Sequence, residues 1–217
     1  MSHIIEIGVE LEGGWREEFE DITILGDGSV RKPSGIDSET GHWGEIPSPV
    51  LTTSTILPWL AAHYPDGVGP SCGFHIHISL SKGDYQQLIS MKFYHFFLKK
   101  WEEWGEVNRR DLPDTFFRRL AGQPASASSS AYADRVWIPF QQLYVKGKGD
   151  ARRCHLNYCY GLHKTIECRL LPMFEDKEIG LRALSYYINM VEEYLDAHPF
   201  DKDKPIVETR VVIGGRG

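Results

Sequence analysis

Three stretches of the sequence set acidic and imidazole side chains two residues apart: Glu10 and Glu12; His75 and His77, followed by Ser79; and Glu167, flanked by Thr165 and Arg169. Residues two apart share one face of a β-strand. The positions between and beside them are apolar: Leu11 between the glutamates, Phe74, Ile76 and Ile78 around the histidines, and Ile166, Cys168 and Leu170 around Glu167. One such strand taken alone is the ordinary water-facing side of a half-buried sheet. Three that collect Glu and His, where solvent faces draw on Lys, Thr, Ser and Arg, point to a shared site. Glu10 and Glu12 on one face repel each other by roughly several tenths of a kcal/mol unless a cation lies between them. Carboxylates in excess over imidazoles, with no thiolate, fit Mg²⁺ or Mn²⁺ better than a structural zinc. A His-x-His pair also serves zinc and iron sites. Two other readings therefore stand beside a phosphate-handling metal site: a metal hydrolase or oxygenase built on His75, His77 and a glutamate, and a non-catalytic cleft that binds a peptide.

The elements that must position these groups follow from periodicity. Residues 4–12 alternate and predict a strand ended by Gly13-Gly14, and a short β-like run over 22–25 meets a turn at Gly26-Asp27-Gly28. A loop over 32–44 leads to Glu45-Ile46-Pro47-Ser48-Pro49, and a helix is expected over 54–64 with Pro58 in its first turn. A strand over 74–80 precedes one aromatic helix over 85–104, whose rings belong to the core. The Gly, Ala and Ser-rich segment 121–134 reads as a flexible loop, residues 136–145 and 165–171 as β-like, and 178–195 as an amphipathic helix. Strands and helices are interspersed without strict alternation, so the expected fold is α+β with a mainly antiparallel sheet. One domain over 1–204 is expected, followed by a β-like, glycine-rich tail over 205–217.

Composition narrows the function classes. With 41% hydrophobic and 25% charged residues and no apolar run long enough to cross a bilayer, the sequence predicts a soluble protein without a membrane partner. Glutamates interrupt the first eleven residues, unlike a secretory leader, so a cytoplasmic setting is expected. A net charge of −6 argues against nucleic acid as a partner. Cys72, Cys154, Cys159 and Cys168 lack CxxC spacing and read as reduced, buried thiols.

Four motifs occur in a telling order: Gly8-Val9-Glu10-Leu11-Glu12, Glu45-Ile46-Pro47-Ser48-Pro49, Cys72-Gly73-Phe74-His75-Ile76-His77-Ile78-Ser79, and Thr165-Ile166-Glu167-Cys168-Arg169. They resemble the E-x-E, Glu-x-x-Ser-Pro, G-x-H-x-H-x-S and E-x-R segments of the amidoligases, small carboxylate-amine ligases of the glutamine synthetase superfamily. The resemblance implies a glutamine synthetase-like catalytic domain, a sheet curved into a funnel with helices on its outer face. It also implies an ATP- and Mg²⁺- or Mn²⁺-dependent reaction joining the carboxylate of a small molecule or peptide to an amine. By similarity, Glu10, His75 and Glu167 hold the metal beside the γ-phosphate, while Glu12 and Glu45 hold a second near the acceptor carboxylate. Arg169 contacts the transferred phosphoryl group or the substrate carboxylate, and Asn157 matches a polar position common in the family. Ser79 and His77 line the nucleotide side, with His77 open between ligand and structural roles, and Arg118 or Arg119 supplies further phosphate contacts. Gly26-Asp27-Gly28-Ser29 is a turn with a substrate-facing role by family position. The chain is much shorter than glutamine synthetase and shows no separate N-terminal domain, which points to an amine larger than ammonia. No GxxxxGK[ST] loop is present, so metal and arginines must take the place of a backbone phosphate cradle.

Overall fold

Apolar side chains at alternate positions make the first segment a strand, and that strand organises the sheet. In a computed structural model, which describes residues 2–122, 155–158 and 164–201, β1 is Ile4–Trp15. It pairs antiparallel with β2 (His42–Pro47) on one side and β3 (Gly73–Leu80) on the other. β3 pairs with β5 (Thr165–Pro172), which pairs with the short β4 (Leu156–Tyr158). The order is β2-β1-β3-β5-β4, and every pairing is antiparallel. The α+β expectation with an antiparallel sheet holds for the described residues.

One face of this sheet is apolar. Leu11, Phe74, Ile76, Ile78, Ile166 and Cys168 are all buried on it and share one core with the helices. These helices are α1 (Ile56–His63), α2 (Lys82–Leu88), α3 (Met91–Val107), α4 (Asp114–Leu120) and α5 (Lys177–Ala197). Aromatic rings lock α3 to its neighbours: Phe97 meets Tyr187 of α5 edge-on, and Trp101 meets Phe116 of α4. Such pairs add about 0.5–1.5 kcal/mol each beyond the area they bury.

Several boundaries differ from the expectation, each for a local reason. β1 runs through Gly13-Gly14 to Trp15 because β2 continues to pair there. Those glycines admit close neighbours, and a Cβ at Gly13 would lie 2.5 Å from the Cβ of Pro65. The run over 22–25 is not a strand; it contributes a single bridge, Leu25 to Glu45. The 32–44 loop ends earlier, since β2 begins at His42. The aromatic segment is two helices. Ser90 accepts the Phe93 N–H through its Oγ and restarts the chain as α3, while Ser81 does the same for Asp84 at the start of α2. Helix α4 was not foreseen; Asp114 at its start and Arg118 and Arg119 at its end complement its dipole.

Most of the loop expected over 121–134 lies outside the described residues, as do the β-like runs at 136–145 and 205–217 and the residues Cys154 and Cys159. Cys72 and Cys168 are free and buried, and burial pushes the Cys168 thiol up to about 12, so it stays protonated. Among the described residues no helix is long and apolar enough to cross a membrane.

Candidate functional site

The opposite face of the sheet is polar, and the strand register lines its groups up. Glu12 stands opposite Glu45 across β1 and β2, and Glu10 opposite His75 across β1 and β3. His77 faces Glu167 across β3 and β5, and Asn157 faces Glu167 across β4 and β5. Ser79 and Thr165 form a further pair toward one end. The row therefore crosses all five strands and lines a cavity of about 750 Å³.

The donor atoms fall into two groups. In the first, one atom each from Glu10, His77 and Glu167 lie within 4.8 Å of one another; in the second, one atom each from Glu12, Asp27 and Glu45 do the same. His75 lies between them, with Nδ1 3.0 Å from Glu10 Oε2 and Nε2 3.9 Å from Glu12 Oε1. His77 Nε2 is 3.1 Å from Glu10 Oε1 and 3.8 Å from Glu167 Oε1, yet among the described residues it makes no aligned hydrogen bond. His75 Nδ1 also lies 3.9 Å from Glu167 Oε1, so both imidazoles stand beside the Glu10 and Glu167 carboxylates.

Electrostatics divides the two groups further. Burial alone would raise the Glu10 carboxyl, but His75 and His77 override it and hold the group far below the usual carboxylate range. Burial also opposes ionisation of Glu167, and here Arg169, then His77 and His75, lower it. In His77 burial favours the neutral ring, and the carboxylates of Glu10 and Glu167 outweigh it and raise the pKa. Glu45 goes the other way: burial, then Glu10, Glu12 and Asp27, push it up to about 7. The second group holds carboxylates without enough positive charge beside them.

Asn157 Nδ2 donates to Glu167 Oε2 at 2.8 Å, and Arg169 pairs with Glu167 Oε1. Gly73 N–H donates to Glu12 Oε2 at 2.6 Å. Ser48, from the Ser-Pro segment, accepts the Val9 N–H at 2.9 Å and so pins the chain beside Glu10. The Leu25–Glu45 bridge carries the turn at Asp27 over β2, which is how Asp27 reaches Glu12 and Glu45. Sequence singled out the turn but not Asp27 as a donor, because only that bridge brings it to the sheet.

Of the two candidate phosphate arginines, Arg119 lines the cavity and Arg118 is exposed outside it. The Arg119 guanidinium is engaged with backbone, donating from Nη1 to Leu171 O at 2.8 Å and from Nη2 to Cys72 O at 3.2 Å. All the other sequence-predicted site residues, on β1 to β5, line the one cavity. Comparison of the chain with protein-family models, with curated proteins and with solved structures finds no match.

Proposed function

We propose that this chain is an ATP-dependent carboxylate-amine ligase with a glutamine synthetase-like catalytic domain, of the amidoligase type. The observation that carries the proposal is the register: four strands deliver Glu10, Glu12, Glu45, His75, His77 and Glu167 to one cavity, with Arg169 beside them. The donor set fits hard divalent cations such as Mg²⁺ or Mn²⁺, being mostly carboxylate oxygen with imidazole and no thiolate. Glu10, His77 and Glu167, adjoined by His75, would hold one ion, and Glu12, Asp27 and Glu45 a second. When bound, such ions neutralise negative charge that builds on phosphoryl oxygens.

The reaction needs no protein nucleophile. A substrate carboxylate attacks the γ-phosphate of ATP, giving an acyl phosphate and ADP; an amine then attacks the acyl carbon, expels phosphate and loses a proton. The chain's part is to hold and orient the reactants. Arg169 presents a planar, forked donor to a phosphoryl or carboxylate oxygen, while Glu167 fixes its orientation. Asn157 in turn holds Glu167, and Ser79 and Thr165 offer hydroxyls at the nucleotide end of the row.

The test is ADP release by the purified chain with Mg²⁺, ATP and panels of amino-acid and peptide carboxylates and amines. ADP should form only when both partners are present, and Glu10→Ala and Glu167→Ala should each abolish it. Turnover of a substrate with metal but no nucleotide would overturn the proposal in favour of a metal hydrolase or oxygenase. Absence of any bound cation would leave a peptide-binding cleft.

A further inference from the structure

We propose that Arg119 is a positioning residue for Glu12, acting through the peptide that joins Cys72 to Gly73. The two ends of that one amide face opposite partners. Its carbonyl accepts from Arg119 Nη2 at 3.2 Å and from the Met173 N–H at 3.0 Å. Its N–H, on Gly73, donates to Glu12 Oε2 at 2.6 Å. A guanidinium at the carbonyl end of an amide draws electron density toward the oxygen and makes the N–H a stronger donor, and in a buried setting linked hydrogen bonds reinforce one another. Arg119 is 7% exposed and Glu12 is 6% exposed, so solvent does little to screen the link. Its outcome is a carboxylate fixed in direction by an amide that the guanidinium polarises, which leaves Glu12 Oε1 turned toward His75 Nε2 at 3.9 Å.

The surroundings hold each member of the link. His155 Nε2 lies 2.6 Å from Arg119 O. A carbonyl only accepts, so Nε2 carries the proton and Nδ1 accepts from the Tyr94 hydroxyl at 3.0 Å. Burial lowers the His155 pKa, in keeping with a neutral ring. Helix α4 is thereby tied to α3 through its last turn, and Arg119 Nη1 is tied to β5 at Leu171 O. At the far end the chain requires glycine: a Cβ on residue 73 would lie 2.6 Å from His75 Nε2 and 3.2 Å from Glu12 Oε2. In this role the terminal nitrogens of Arg119, at the edge of the cavity, shape the polar face through the backbone. What Glu12 then does rests on the ligase proposal; how it is held does not.

The experiment is an amide NMR spectrum of the full, isotope-labelled chain without metal or nucleotide. The Gly73 amide proton should resonate well downfield, and Glu12→Gln should move it upfield. Arg119→Lys should move it part of the way and Arg119→Met further, while the Gly180 amide in α5 stays in place. With Mn²⁺ added, Arg119→Met should bind the ion about tenfold more weakly, the effect typical of removing a group that orients a ligand, and Arg119→Lys should recover part of that loss. A Gly73 resonance unmoved in either folded Arg119 variant would overturn the proposal and reduce Arg119 to an anchor for α4. Should Arg119→Met not fold, Arg119→Lys and Glu12→Gln decide alone: an unmoved Gly73 signal in Glu12→Gln means the link is absent. A chain that never releases ADP would refute the ligase proposal and leave the Gly73 result intact.

Discussion

Glu45 is where the charge of the site is least balanced. Its pKa, up from 4.5 to about 7, means that between those values the native chain keeps a proton the unfolded chain has released. Native stability therefore falls as pH rises through that window, and the loss is complete above about 7. Glu45→Gln removes the penalty. Thermal melts of metal-free protein from about pH 5 to about pH 8 should show the variant gaining on the parent as pH rises, because the groups common to both cancel. Excess Mg²⁺ should erase the difference by supplying the missing positive charge. Equal pH profiles for parent and variant would show that Glu45 is already neutralised within the protein. Asn157 makes a second prediction. Asn157→Ala leaves a buried Glu167 oxygen short of a donor, which costs about 1–3 kcal/mol, read as a lowered denaturation midpoint together with weaker Mn²⁺ binding. Residue types and spacing made Glu10, Glu12, His75, His77 and Glu167 legible, since each sits on a clean two-residue period. Asp27 and the backbone role of Arg119 were not, because a bridge between distant segments and a helix end decide them.

Elements explain why the row of groups lines up at all. The shift in β3–β5 pairing between Phe74 and Ile76 sets two residues of β5, Arg169 and Leu170, against one of β3, His75. Leu170 and Leu171 are consequently both buried in succession, and Arg169 stays on the cavity side. The apolar face behind is filled by large rings, so truncating one should loosen the site's whole platform. Trp101→Ala, which removes a fully buried indole in contact with Trp104, Phe116 and Tyr186, should destabilise by about 3–5 kcal/mol. A denaturant titration measures this; a loss under about 1 kcal/mol would mean the ring is not a core member. Period-two strands were readable where one face is apolar, as in β1, β3 and β5. β2 escaped because Pro47 and Gly44 read as loop and its pairing with β1 supplies the order. The break at Ser90 escaped because aromatic spacing continues across it while the cap interrupts the helix.

At the scale of the molecule, the antiparallel sheet of the described residues separates a ring-packed back from a carboxylate-rich front, and the proposed chemistry uses only the front. The central claim is that segments far apart in sequence share divalent cations. Crystals grown with Mn²⁺ and measured for anomalous scattering test it directly. A peak should lie among Glu10, His77 and Glu167, with a second at Glu12, Asp27 and Glu45. Manganese bound only at scattered surface carboxylates, with no peak in the cavity, would contradict it.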